Sequence, residues 1–249
     1  VVGVSKPKNA KYVPVKQSNT MTYVLGGIAV LVVIVVVIGG VLLVSKNSDK
    51  PSDQVASKLN AATPTFVLGK DDAPTKVTFF EDPYCPACAS LENQYGAKIT
   101  AAIEAGKVQA RYFMVNFLDR NSPSGDYSDR AVGAMLAISR SSLPDDQKQK
   151  ALMGAHTVMY AQQPEEGKGD KTNAEMATMF AGGAKSLGVD LPADVTAAIT
   201  EGKYTADGKS SASENFSLMT SIGSQGTPTV VHDGKIVDLK GDDLANLLK

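Results

Sequence analysis

Residues 76–88 read Lys-Val-Thr-Phe-Phe-Glu-Asp-Pro-Tyr-Cys-Pro-Ala-Cys, and the fold turns on them. Lys76 to Glu81 is rich in β-branched and aromatic residues, which predicts a strand. Both alternating sets, Val77 with Phe79 and Thr78 with Phe80, are largely apolar, which suits a central strand covered on both faces. Asp82-Pro83 ends it. After Cys85 the period changes: Leu91, Tyr95, Ile99 and Ile103 recur every four residues and Gly106 closes the run, so a helix follows. Val108 to Phe117 then returns to strand character.

The two cysteines of the chain, Cys85 and Cys88, therefore sit where a strand turns into a helix. At that spacing they can close a disulfide. Cys85 falls at the helix N-terminus, where partial positive charge and free N–H groups favour a thiolate. Cys88 lies one turn further in and is expected to be more buried. Cys85 is thus the expected attacking thiolate and Cys88 the resolving thiol. Pro86 fits a first turn, where its missing N–H has no partner to lose. Two other readings compete. Half of a zinc site would need His156 and His232 to complete it, since no further cysteine exists; no metal and no cofactor are expected. An inert structural disulfide closing so short a loop would add little chain-entropy stabilisation.

Downstream, apolar positions mark helices around Ala131–Ile138, between Pro144 and Pro164, after a capping box at Thr172-Asn-Ala-Glu175, and up to Gly223. Asp233-Gly234 between two β-prone runs predicts a hairpin, and a short helix closes the chain at 242–248. The fold class is α/β: one domain over residues 65–249 with a helical insertion at about 120–225. His156 falls on the apolar face of its helix and reads as a core histidine. His232 precedes the Asp-Gly turn at the surface. Met176 and Met179 read as core. Glu81 and Asp82 have two readings: acids near enough to Cys85 to raise its pKa, or a solvated strand end.

Tyr23 to Val44 is an uncharged run of 22 residues, long enough for one transmembrane helix. A cleaved signal peptide is shorter in its apolar part and ends in small residues, unlike the Val-Ser-Lys-Asn that follows here. Residues 1–22 carry Lys6, Lys8, Lys11 and Lys16 and no acid, which predicts a cytoplasmic N-terminal tail and an extracytoplasmic C-terminal domain at the plasma membrane. Residues 45–64 have the composition of a linker. The whole chain holds 25 basic and 26 acidic residues, a formal net charge of −1; without the four tail lysines 21 basic residues face 26 acidic ones. A protein built to coat nucleic acid is excluded by that balance, and a disulfide-stapled scaffold by the cysteine count.

Phe79-Phe-Glu-Asp-Pro-Tyr-Cys-Pro-Ala-Cys88, together with Gly226-Thr227-Pro228, resembles the DsbA/DsbG-like branch of the thioredoxin-fold disulfide oxidoreductases, in the plan of membrane-anchored actinobacterial members. The resemblance covers roughly residues 65–249. It implies a thioredoxin-like fold and catalysis through Cys85 and Cys88. It also implies a cis bond at Pro228, with Thr227 and Pro228 binding an extended substrate segment. Pro86 and Ala87 would tune the dithiol. Strong oxidases of the family carry His where this chain has Ala87, which weakens any inference of strong oxidising power. Three functions compete. The first is an anchored oxidase of secreted or membrane protein thiols, served by a membrane reoxidant. The second is a reductase or isomerase, for example in cytochrome maturation. The third is a non-catalytic accessory subunit of a respiratory or transport complex.

Overall fold

The computed structural model describes residues 51–249; the predicted Tyr23–Val44 span and the basic tail lie outside the described residues. Among the described residues, no helix is long and apolar enough to cross a membrane.

The described chain opens with helix α1 (Pro51–Ala61), followed by β1 (Phe66–Leu68), β2 (Thr75–Glu81), α2 (Pro86–Glu104) and β3 (Val108–Met114). A 3-10 turn at Asp119–Asn121 leads into α3 (Tyr127–Ser139), α4 (Asp145–Ala161), α5 (Asn173–Ser186), α6 (Ala193–Thr200) and α7 (Thr205–Ser221). Strands β4 (Thr229–His232) and β5 (Lys235–Ile236) and helix α8 (Asp243–Leu247) complete it. The strands form one sheet in the order β1-β3-β2-β4-β5. β2 runs parallel to β3, with Phe79 opposite Tyr112, and antiparallel to β4, with Phe79 opposite Val230. The expected β-α-β start, helical insertion and terminal hairpin are all present, and Asp233 (φ 48°) and Gly234 (φ 69°) form the turn with the two positive φ angles that a tight hairpin requires.

Side-chain alternation on β2 divides the core in two. Val77 and Phe79 face a large cluster with Phe66, Tyr112, α2 and the insertion helices. The rings of Phe66, Tyr112 and Phe79 stack in a row, with centroids 4.8 and 5.0 Å apart. Phe80 faces the other side, with Phe113, Val231, Leu59 of α1 and Met219 of α7. Each such aromatic contributes about 2–3 kcal/mol by leaving water. The central-strand reading of Val77–Phe80 therefore holds on both faces.

Three elements lie outside what the sequence predicts. The stretch 51–61 is a helix rather than linker. Its polar composition hides a narrow stripe in which Val55 and Leu59, four apart, meet the Phe80–Phe113 cluster. Arg111 from β3 donates to the Leu59 and Ala62 carbonyls at 2.9 and 3.1 Å, satisfying the helix end. Strand β1 has three residues, too few for a period to show, and pairs with β3 through Phe66–Tyr112. Helix α6 has eight residues, several of them β-branched, so its composition speaks against a helix; tertiary packing of Val195 and Ile199 decides instead.

Helices α4 and α5 touch backbone to backbone. A Cβ on Gly154 would lie 2.2 Å from the Gly183 carbonyl oxygen, and one on Gly183 2.4 Å from that of Gly154. Only glycine permits this approach, which lets α4 and α5 pack at backbone distance two residues before His156. The capping box is present as predicted: Thr172 accepts from Glu175 N–H at 3.2 Å and Glu175 accepts from Thr172 N–H at 2.8 Å.

Candidate active site

The dithiol stands at the start of α2. Cys85 is the N-cap residue and Pro86 opens the first turn. Both cysteines are free thiols. Cys88 is fully buried and Cys85 retains 6% exposure, while Pro86 and Ala87 are exposed. The predicted contrast between the two sulfurs is thus real, and the pair of intervening residues forms the outward surface of the motif.

The distant Thr-Pro comes to the same place. The Thr227–Pro228 peptide is cis, as the resemblance implies. The Cys85 thiol donates to the Thr227 carbonyl at 3.5 Å. The loop is braced from within, since Thr229 Oγ1 donates to the Gly226 carbonyl at 2.6 Å and contacts Ser224 Oγ at 2.5 Å. Thr227 Oγ1 is buried beside the Cys85 sulfur.

These surroundings separate the two thiols chemically. A hydrogen bond from Cys88 holds the Cys85 thiol down at about 6, against the upward push of burial. The Thr227 side chain and the N–H groups of Cys88 and Ala87 add to the lowering. Burial pushes the Cys88 thiol well above the usual value, and its hydrogen bond to Cys85 and the nearby Glu81 carboxylate push the same way. One sulfur is thereby favoured as a thiolate near neutrality, and the other keeps its proton.

Glu81 and Asp82 are not a solvated strand end: both are fully buried. The reason is the period of β2, which carries Glu81 onto the same face as Val77 and Phe79, under α2 and α4. Burial raises Glu81 to about 8. Its Oε2 lies 2.9 Å from His156 Nε2. The His156 ring is 3% exposed and wedged among aromatics, with centroids 4.4 Å from Tyr112 and 5.1 Å from Tyr160. The core reading of His156 holds, and it adds a partner that the helical pattern does not reveal. On the far side of the imidazole, Nδ1 is 3.8 Å from Glu92 Oε2. One ligand atom from each of Glu81, Glu92 and His156 lies within 4.8 Å of the others, a donor set that suits a divalent cation in type. The Glu81 and Glu92 side chains are also hydrogen-bonded to each other, which requires a proton on one of the two carboxyls. Cys85 and Cys88 meet neither histidine. His232 is half-buried at the sheet, with Nδ1 3.0 Å from the Lys76 carbonyl. Met176 and Met179 are core residues, as predicted.

Asp82 anchors the turn into the motif. It accepts from Tyr84 N–H at 2.9 Å, Leu118 N–H at 3.0 Å and Ser128 Oγ at 2.6 Å, and burial raises it to about 6. The loop after α4 grips the same turn. Gln163 Nε2 donates to the carbonyls of Pro83 and Cys85 at 2.9 and 3.0 Å. Tyr84 Oη accepts from Gly167 N–H at 3.0 Å and donates to the Gly169 carbonyl at 2.6 Å. Sequence reasoning missed Gln163 and Tyr84. Only the breaker run Gln-Pro-Glu-Glu-Gly-Lys-Gly marked that loop, and nothing in it points across the chain to Cys85.

A strand, a dithiol at a helix N-terminus and an opposing cis-proline loop define the class of thiol-handling thioredoxin-like domains. The thioredoxin family model matches residues 61–249, and the chain belongs to that family. It is 28% identical over 185 residues to the serine/threonine-protein kinase PknE of Mycobacterium tuberculosis, a match covering 73% of this chain and 31% of that relative's length. Among solved structures, it resembles the reduced form of the disulfide bond oxidoreductase DsbG from Mycobacterium tuberculosis. That match has TM-score 0.56 and 25% identity, covering 76% of this chain and 85% of the other. It also resembles MdbA, a thiol-disulfide oxidoreductase from Corynebacterium diphtheriae, with TM-score 0.55 and 27% identity, covering 80% and 98%.

Proposed function

We propose that the chain is a membrane-anchored, extracytoplasmic thiol–disulfide oxidoreductase that exchanges disulfides with secreted or membrane proteins. The observation that carries the chemistry is the pairing of Cys85, as N-cap of α2, with the Thr227 carbonyl of the cis-proline loop. The reading assigns Cys85 as nucleophile and Cys88 as its resolving partner. Thr227 and Pro228 offer backbone to an extended substrate segment. Pro86 and Ala87 form the exposed surface that meets substrate beside them. In the oxidising direction a substrate thiolate attacks Cys85 of the Cys85–Cys88 disulfide. Cys88 leaves with the electron pair and takes a proton, and a second substrate thiolate then displaces Cys85 as a thiolate.

The lowered Cys85 thiol favours that direction. A stabilised thiolate stabilises the reduced form and makes the disulfide the stronger oxidant. Ala87 in place of histidine supports the runner-up, a reductase or isomerase of less oxidising potential. The anchor and the outward placement of the domain rest on the Tyr23–Val44 span and the lysine tail alone.

Three measurements test the reading. Cys85→Ser is expected to abolish exchange with a reduced secreted protein; full retention of activity refutes it. The equilibrium potential of the Cys85–Cys88 couple decides direction, and a value near that of thioredoxin would count against the oxidase. Protease treatment of intact cells and of spheroplasts tests placement, because an extracytoplasmic domain is cut without breaking the membrane.

A further inference from the structure

Helix α1 begins at the end of the sheet opposite the dithiol. β4 runs antiparallel to β2, with Phe80 opposite Thr229 and Val77 opposite His232. Pro228 and Cys85 therefore lie beyond one end of β2, and the Asp233-Gly234 turn lies beside the other. The seven residues of β2 hold those ends about 20 Å apart. The first turn of α1 is locked to the hairpin end, where a Cβ on Gly234 would run into the Ser52 carbonyl oxygen. Pro51, Ser52 and Val55 of α1, Ile222 after α7, and Lys235 and Ile236 of β5 line a shallow groove of about 470 Å³ there. Ile236 pairs with Val231, which packs with Leu59 of α1, so it stands on the α1 side at the open edge of the sheet. At 51% exposure it is the one exposed large hydrophobic among the described residues.

A lone exposed isoleucine is ordinary on a protein surface. Its place here gains meaning from the anchored reading proposed above, on which this inference rests. Seven residue steps separate Val44, the end of the apolar run, from Pro51, at most about 25 Å of fully extended chain. A tether that short holds its far end near the bilayer at an effective concentration of the order of millimolar, so even a weak contact with lipid is populated. Turning the dithiol to the bilayer instead would draw nearly the whole tether out straight. Lys46, Lys50 and Lys235 are matched by Asp49, Asp53 and Asp233 along this stretch, so the attraction is apolar rather than one of net charge.

We propose that the β4–β5 hairpin and the first turn of α1 form a face that rests on the bilayer, with Ile236 and the groove beside it in contact with lipid acyl chains at the headgroup boundary. The dithiol then points away from the membrane, with the length of β2 between it and the lipid. That orientation sets the class of partner. Secreted chains in the aqueous space reach Cys85 and Thr227 directly, whereas a cysteine lying at the lipid surface does not. A membrane reoxidant meets Cys85 only through a segment that stands out from the bilayer.

The chain contains no tryptophan, so a single introduced one reports alone. The full chain carrying Ile236→Trp is reconstituted into phosphatidylcholine vesicles, with and without bromine on the acyl chains. It is compared with Lys168→Trp, an exposed position on the loop that grips the turn before the dithiol. Both positions are exposed, so neither substitution disturbs the core. Bromine is expected to remove most of the Ile236→Trp emission, with the maximum shifted to the blue, and to leave Lys168→Trp unchanged. Equal quenching of the two, or no quenching at Ile236→Trp in a chain that stays with the vesicles through an alkaline carbonate wash, overturns the resting face. A blue shift at Ile236→Trp that bromine does not quench puts protein, such as a second copy of the chain, on the patch and overturns it too. A chain stripped from the vesicles by the wash overturns instead the anchored reading beneath it.

Discussion

Replacing Cys88 with alanine removes the largest single influence that holds the Cys85 thiol down. With the thiol at about 6, roughly 90% of Cys85 is thiolate at pH 7 and roughly 10% at pH 5. Were the variant to return all the way to the ordinary 9.0, those fractions would fall to roughly 1% and 0.01%, ratios of about 100-fold and 1,000-fold. A more basic thiolate is also a better nucleophile. With a Brønsted coefficient near 0.5, a rise of three pH units returns about 30-fold. The upper bound on the loss of alkylation rate is therefore only about threefold at pH 7 but about 30-fold at pH 5. The informative experiment is thus a pH series with iodoacetamide, paired with ultraviolet titration of the thiolate. In the unaltered protein Cys88 stays protonated and silent, so the acid limb belongs to Cys85. The midpoint in Cys88→Ala is expected above about 6, and the rate deficit is expected to widen as the pH falls. A midpoint that stays at about 6 in the variant would refute the reasoning, because the remaining N–H groups and Thr227 would then suffice without the second thiol.

Glu81 gives a stability prediction with a definite sign. Its folded value of about 8 exceeds the unfolded 4.5, so its contribution is fully present below about pH 4.5 and is lost as pH rises through about 8. Urea unfolding is expected to show Glu81→Gln losing less stability than the unaltered protein between pH 5 and pH 8; parallel losses would contradict this. Gly154→Ala drives a methyl into the Gly183 carbonyl, and calorimetry is expected to show a loss of about 1–3 kcal/mol or more, with His156 displaced. Gln163→Glu replaces two donated hydrogen bonds with a charge facing two carbonyl oxygens. Slower exchange by Cys85 and faster amide hydrogen exchange at Tyr84 and Gly167 are expected, at a cost of about 1–3 kcal/mol, with no such change in Gln163→Asn if its amide reaches the same carbonyls.

The placement of Cys85 and Cys88 was legible because it is local: one strand, one breaker, one helix, and a spacing set by a single helical turn. Thr227-Pro228 was legible only through resemblance, since nothing local distinguishes that dipeptide from an ordinary turn. The rear of the site was hidden for a different reason. Glu81 and Glu92 each sit on a predictable face, one in the Val77–Phe79 row and the other a turn below Cys88. Their shared partner His156 is 75 residues beyond Glu81 on an insertion helix, and no periodicity sets the angle at which that helix meets the sheet. Gly154 and Gly183 let that helix close on its neighbour α5, and they carry no pattern. Helix α1 escaped because two apolar residues among polar ones are enough to seat a helix when Arg111 satisfies its end, whereas composition alone reads as tether.

The sheet ends in strands of three residues at β1 and two at β5. An enzyme that handles unfinished secreted chains, as proposed here, works among sticky extended segments, and a long open rim would collect them by unguided pairing. Rims this short offer almost no template for aggregation. On that proposal, capture of a client falls to the backbone at Thr227 beside the Cys85 sulfur, so a client that docks there is also a client that can react.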